Sequence, residues 1–536
     1  MVALLQAQNE QLQRCDGLQA ENQQLQVRCD GLEAALEPLQ AHNRQLQAHN
    51  QQLQAALEPL QIQNQQLQQK IADLEPLADQ VRPLEGDKEA GGRQRRQHVG
   101  PAPHDPPPSD EAVARMGLTE VVAALRAFTA VARVAKAACG RLVDLCGEAG
   151  SKQRAADAGA LEATVEAMRA HPMAATVQEQ GSWVLANVCS GSDAAEARLQ
   201  RAAEAGALEA AVAAMRAHPQ SAGVQVQGSA VLRNVSCGAD AAGAARRQQA
   251  AGAGALEAAV TAMRSHPRWA AVQEQGCGVL LTVACGDDEA GPARRQRAAG
   301  AEALEAAVRA MRAHPQAVAV LEEACTVLAN LCCGDDDVGA TCRQRAADAE
   351  ALEAAVEALW AHPQAAGVQE HGCRVLANVC CGIDADAGAA RRQRAAGAEA
   401  LEAAVRAMRA HPQAVAVLEE ACTVLANLCC GDDDVGATCR QRAADAEALE
   451  AVVEVMEAHP QAAALQLRGC RALGSVCCGT DAAGKARLQR AILAGARAAA
   501  TSARQAHIGN TRLQSAGRAL LTQLGFPPIV GSPRFN

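Results

Sequence analysis

The chain has 536 residues, 49% of them hydrophobic and 21% charged, while aromatic residues make up 1% and Tyr is absent. A formal net charge of -10 and the lack of aromatic stacking platforms exclude a general nucleic-acid binder, which needs a basic footprint. No apolar run is long enough to span a membrane, so neither a nucleic-acid nor a membrane partner is expected.

Residues 1–80 are rich in Gln and place Leu18, Leu25, Leu32, Leu39, Leu46, Leu53, Leu60, Leu67 and Leu74 at every seventh position. With these as d positions, Asn22, Asn43, Asn50 and Asn64 fall at a, where buried amides favour a two-stranded parallel register. The segment reads as a coiled coil that pairs two copies of the chain, broken into short pieces by Pro38, Pro59 and Pro76. Residues 81–112 turn Pro-, Gly- and charge-rich and read as a disordered, flexible linker. No secretory signal is evident, and a cytoplasmic or nuclear location is expected.

Residues 113–524 are an array. His-Pro recurs at His171, His218, His266, His314, His362, His411 and His459, a period of 47 to 49 residues. That is the range of helical solenoids, whose units bury their apolar faces only by stacking on neighbours. About nine units fit, the first and last degenerate as caps are, and residues 525–536 form a tail. Residues 293–354 and 390–451 are identical, so whatever surface they carry is present twice.

Within a unit, Leu208, Val212 and Met215 mark an amphipathic helix from Ala207 to His218, which Pro219 follows. Val224, Val231, Leu232 and Val235 predict a longer helix ended by Gly238. A short basic helix, Arg246 to Ala253, precedes the next cycle, and its recurring arginines beside acids read as a solvated, self-neutralised edge. Cysteines such as Cys325 and Cys332 stand two turns apart, as small reduced core residues would. No catalytic signature, cofactor motif or metal-ligand spacing appears, so no enzyme activity, cofactor or metal is expected; the His before Pro reads as a helix-end residue.

This unit, Ala-Met-Arg-Ala-His-Pro followed by Val-Gln-Glu-Gln and Val-Leu-Ala-Asn-Val, resembles the armadillo repeat, with the flavour of the armadillo region of leucine-rich-repeat kinases. The resemblance implies an all-α, armadillo-type right-handed superhelical solenoid whose third helices line a concave groove. It further implies that Asn187, Asn234, Asn330, Asn378 and Asn427 grip the backbone of an extended peptide, a ladder that breaks at Thr282 and Ser475. An Asn there can equally bridge neighbouring helices. Glu179, Glu274, Glu322, Glu370 and Glu419, eight residues earlier, share the stripe and favour a basic guest, although a first-turn Glu also suits the helix dipole. Trp183 alone matches the Trp column of nuclear-import adaptors. The expected function is a non-catalytic protein-protein interaction scaffold, dimerised by its coiled coil; the alternative is a nuclear-transport adaptor for basic localisation peptides.

Overall fold

The computed structural model describes residues 106–525 except 148–149, 192–194, 287, 335 and 382–384. All belong to one unit of the chain, His98–Asn536. The predicted coiled coil of residues 1–80, most of the 81–112 linker and the tail after Gly525 lie outside the described residues.

Every regular element among the described residues is an α-helix, and 27 helices from Asp110 to Gln523 form nine consecutive triplets, units 1 to 9. In unit 3 the triplet is Ala195–Ala205, Ala207–Ala217 and Ala222–Val235. Each third helix packs on the third helices before and after it, and second helices stack likewise. The result is an α-solenoid built from the three-helix unit that the repeat implied.

The small-residue composition explains the close stacking. Gly228 lies inside a third helix, where glycine costs about 1 kcal/mol relative to Ala, yet a Cβ there would sit 2.6 Å from Met215 Cγ of the second helix. Gly181, Gly276 and Gly469 receive Met168, Met263 and Met456 in the same way. The methionine fills the notch, and the two helices close.

The second helix ends at Ala217 because His218 leaves helical geometry at φ -125°, and Pro219 has no amide proton to continue it. The His ring then reaches back one unit. His218 Nε2 lies 2.8 Å from Pro172 O, His266 Nε2 2.9 Å from Pro219 O, and His314 Nε2 2.8 Å from Pro267 O. The series runs from His171, on Thr129 O at 2.7 Å, to His507, on Pro460 O at 2.9 Å. A carbonyl only accepts, so Nε2 carries the proton throughout. A glutamine holds most corners from the other side, Leu321 and Leu418 taking its place in units 5 and 7: Gln273 Nε2 donates to Met263 O at 2.8 Å and to His266 O at 2.9 Å.

The first helices are longer than expected, and their arginines are not a solvated edge. Unit 4 begins at Ala241, five residues before the basic stretch, because Asp240 caps it by accepting from Gly243 N at 2.9 Å. Gly243 is required there, since a Cβ would lie 2.3 Å from Gly238 O. Arg246 is buried, and its Nε donates to Val235 O at 2.8 Å, closing the preceding third helix. Arginines one turn on join units: Arg201–Glu162 at 2.5 Å, Arg345–Glu305 at 2.6 Å and Arg442–Glu402 at 2.7 Å. The acids beside them thus serve as interface partners.

The turn before the second helix needs a left-handed residue. Gly206 and Gly254 supply it at φ 85° and 94°, but Glu302, Glu350, Glu399 and Glu447 adopt φ 62–67° in later units. In two of these the strain meets a compensating ion pair, Arg312–Glu350 and Arg409–Glu447.

Two outcomes follow from this packing. Replacing His266, the most buried of the series at 7% exposure, by Ala is expected to lower stability by roughly 0.5–1.5 kcal/mol, as the part-buried bond to Pro219 O is lost; an unchanged urea midpoint would contradict it. Cys325 is fully buried and its thiol is pushed up to about 12 by that burial, whereas Cys333 and Cys430 are exposed. Alkylation of the native chain at pH 8, mapped by mass spectrometry, is expected to label Cys333 and Cys430 quickly and Cys325 only after unfolding.

Candidate functional site

The third helices present one row of half-exposed side chains, and the predicted residues lie on it. Asn187, Asn234, Asn330, Asn378 and Asn427 are all half-buried, one each in units 2, 3, 5, 6 and 7. Three of them bridge to the preceding third helix. Asn234 Nδ2 donates to Ala186 O at 3.0 Å, Asn378 Nδ2 to Ala329 O at 2.9 Å and Asn427 Nδ2 to Ala377 O at 2.9 Å. Gln523 does the same in unit 9, donating to Gly474 O at 3.2 Å. Asn330 instead hydrogen-bonds Cys285, and the Asn187 side chain bonds nothing among the described residues.

These bonds fix the amides. Since a carbonyl faces the nitrogen, Oδ1 of Asn234, Asn378 and Asn427 must point the other way, and it accepts nothing from the described residues. The bridging role that the sequence left open is therefore present, together with oriented acceptors in units 3, 6 and 7. Trp183 stands four residues before Asn187 on the same row, 39% exposed.

The carboxylates fall into two groups. Glu179 and Glu322 lie over the first turn of the next third helix, so close that a Cβ on Gly223 or Gly367 would approach within 2.4 or 2.2 Å. Glu274 is half-buried beside them in register, and none of the three forms an ion pair with a described residue. Glu370 and Glu419 are engaged. Arg374 reaches Glu370 at 2.6 Å and Glu420 at 3.2 Å, and Arg468 lies 3.5 Å from Glu420 and 3.6 Å from Glu419.

Sequence reasoning missed Glu323, Glu420, Arg233 and Arg468. Arg233 of unit 3 reaches Glu323 of unit 5 at 2.7 Å, passing over Gly278 of unit 4, where a Cβ would lie 2.8 Å from the arginine Cδ. The signal was a glycine in the column that holds Trp183, Ala230 and Thr326 elsewhere. His371 sits among these charges with Nδ1 3.4 Å from Arg374 Nη1, and burial holds it below the ordinary histidine range.

Beyond this network the row opens into a cleft of about 470 Å³ between the third helices of units 7, 8 and 9, lined by Asn427, Arg471, Ser475 and Gln523 among others. No cluster of His, Cys, Asp and Glu among the described residues could hold a metal ion. No described helix is long and apolar enough to cross a membrane.

No protein-family profile matches the sequence, and no curated protein matches it. A solved structure described as "A conserved phosphorylation switch controls the interaction between cadherin and beta-catenin in vitro and in vivo" is similar at 14% sequence identity and a TM-score of 0.45, over 78% of this chain and 85% of that chain. So distant a likeness says nothing of this chain's partners.

The arginines that close the acidic stripe are expected to matter for both stability and charge. The double substitution R374A/R468A leaves Glu420, 11% exposed at its side chain, without a partner. A loss of about 1–3 kcal/mol is expected in urea unfolding, between the values for exposed and buried pairs; no loss would show that the pairs are idle.

Proposed function

We propose that the array is a non-catalytic scaffold that lays an extended segment of a partner protein along the row of third helices, and that residues 1–80 pair two such chains. The observation that carries this reading is the set of pinned amides, whose oxygens are oriented before any guest arrives. Preorganised acceptors bind without a further ordering cost.

Their spacing suits a stretched backbone. Packed helices stand about 8–10 Å apart, and a polyproline-II chain presents the same face every third residue, about 9 Å on. One guest N–H can therefore meet the Asn oxygen in each of units 3, 6 and 7. Pairing two chains would raise the effective concentration of the second row for a guest with two such segments.

The charge on the row varies along its length. Units 4 and 5 offer Glu274 and Glu322 unpaired, which suits a guest that is basic there. Basic localisation peptides of a nuclear-transport adaptor are the alternative guest. Arg374 and Arg468 already occupy the acids such a peptide would need in units 6 and 7, and Trp183 has no partner in the aromatic column.

The test is selection of peptides from a display library on the wild-type chain, followed by titration of the best binders against N234A/N378A/N427A. Three lost hydrogen bonds of about 0.5–1.5 kcal/mol each are expected to weaken binding by about tenfold or more. Equal affinity for the two proteins, both shown to be folded, would remove the row as the binding surface. Lysine-rich winners would favour the transport reading.

A further inference from the structure

The ladder lacks its Asn at two places, Thr282 of unit 4 and Ser475 of unit 8. Unit 8 carries Ser475 where units 3, 6 and 7 carry a bridging Asn, and no bond joins Ser475 to Ala426 O of unit 7, the acceptor at the equivalent place. Gln523 restores the bridge one unit later. The cleft of about 470 Å³ opens at this vacancy, with Ala426 and Ser475 both in its wall.

Its chemistry differs from the rest of the row. No carboxylate lines it, whereas two guanidinium groups do, those of Arg440 and Arg471. Arg440 is buried and committed, donating to Gly431 O at 2.6 Å and Cys429 O at 3.3 Å. Arg471 is exposed and pairs with no acid among the described residues, unlike Arg468 on the same helix. Ala516, Ala519 and Leu520 give the opposite wall a small, apolar surface.

We propose that this cleft binds a peptide carboxylate. The carboxylate lies on Arg471, the neighbouring apolar side chain packs on Ala516, Ala519 and Leu520, and a guest N–H takes the place at Ala426 O that the missing Asn leaves open. The inference deepens the proposed row by giving its unit 8 end an acidic preference opposite to the basic preference of units 4 and 5. The carboxylate can come from an acidic side chain or from a chain terminus, since both present two oxygens to a guanidinium.

The cleft carries its own reporters. Cys430 and Cys478 line it, while the exposed Cys333 lies three units before unit 8 and serves as control. The full chain is alkylated with N-ethylmaleimide in the presence of acetyl-Gly-Leu-Gly-Glu-amide, its Gln counterpart, or acetyl-Gly-Leu-Gly with a free or an amidated terminus. Labelling of Cys430 and Cys478 is expected to slow about threefold at peptide concentrations near twice a millimolar-range Kd, with Cys333 unchanged. Protection by the Glu peptide alone assigns a side-chain carboxylate, and protection by the free terminus alone assigns a chain end. R471Q is expected to abolish the effect. Equal labelling with carboxylate and amide probes, or protection that survives R471Q, would overturn the proposal. Asn234 and Asn378 lie outside the cleft lining, so substituting them separates the two readings: unchanged guest binding with persisting Cys430 protection would sink the row and leave the cleft standing.

Discussion

The whole array hangs on the bond from each His ring to a backbone carbonyl of the unit before it. A solenoid has no single centre, so its stability is close to a sum over neighbouring interfaces, and this bond recurs at every interface, to Thr129 O in unit 2 and to a Pro carbonyl in units 3 to 9. Its parts are interdependent. The proline ends the helix and frees a carbonyl that faces the next unit; the histidine, at the C-cap, has its ring where that carbonyl arrives. In units 2, 3, 4, 6, 8 and 9 a glutamine of the following helix also donates to the carbonyl of the histidine itself. Loss of the ring leaves the carbonyl of the preceding unit without its side-chain donor. This is why a residue that could serve as a general base is, in this chain, a joint.

The fold was legible because the period was. The helix end at His218 could be read from Pro219, and the buried stripe of Leu208, Val212 and Met215 needed only the helical repeat, whereas the third helix stops at Val235, short of the expected Gly238. Hidden from that reading was anything that depends on the next unit. The arginines looked like a charged edge because in sequence they stand beside acids, yet Arg246 is buried against the end of the preceding third helix. Whether Asn234 bridges helices or faces a guest stayed open in the sequence because its acceptor, Ala186, lies one unit back. Patterns within one helix report its buried face; contacts across a unit boundary have no local signature beyond the repeat of the residues themselves. Glycines in helix interiors, such as Gly228 and Gly278, are the local trace such contacts do leave, since each receives a side chain from elsewhere.

The duplicated block shows how far neighbours govern a surface. Glu323 and Glu420 occupy the same position in identical segments, yet the first pairs with Arg233 two units before it and the second with Arg374 and Arg468 on either side. Asn427 bridges to Ala377, while its twin Asn330 meets Cys285. Copying a unit therefore copies its core but not its function, since the exposed row is composed by adjacent units together.

That principle bears on what the row can hold. A side-chain amide that bridges two helices and one that binds a guest are often treated as alternatives, but in the proposed mode the first orients the amide for the second. Donation to the preceding carbonyl uses one N–H and leaves the oxygen directed, at no cost when a guest arrives. At Ser475 of unit 8 the Asn and its bridge are absent, space opens beside Ala426, and in the proposed mode a guest filling it brings a donor of its own. The row as proposed thus combines places that offer an acceptor, in units 3, 6 and 7, with one beside Arg471 that takes a donor.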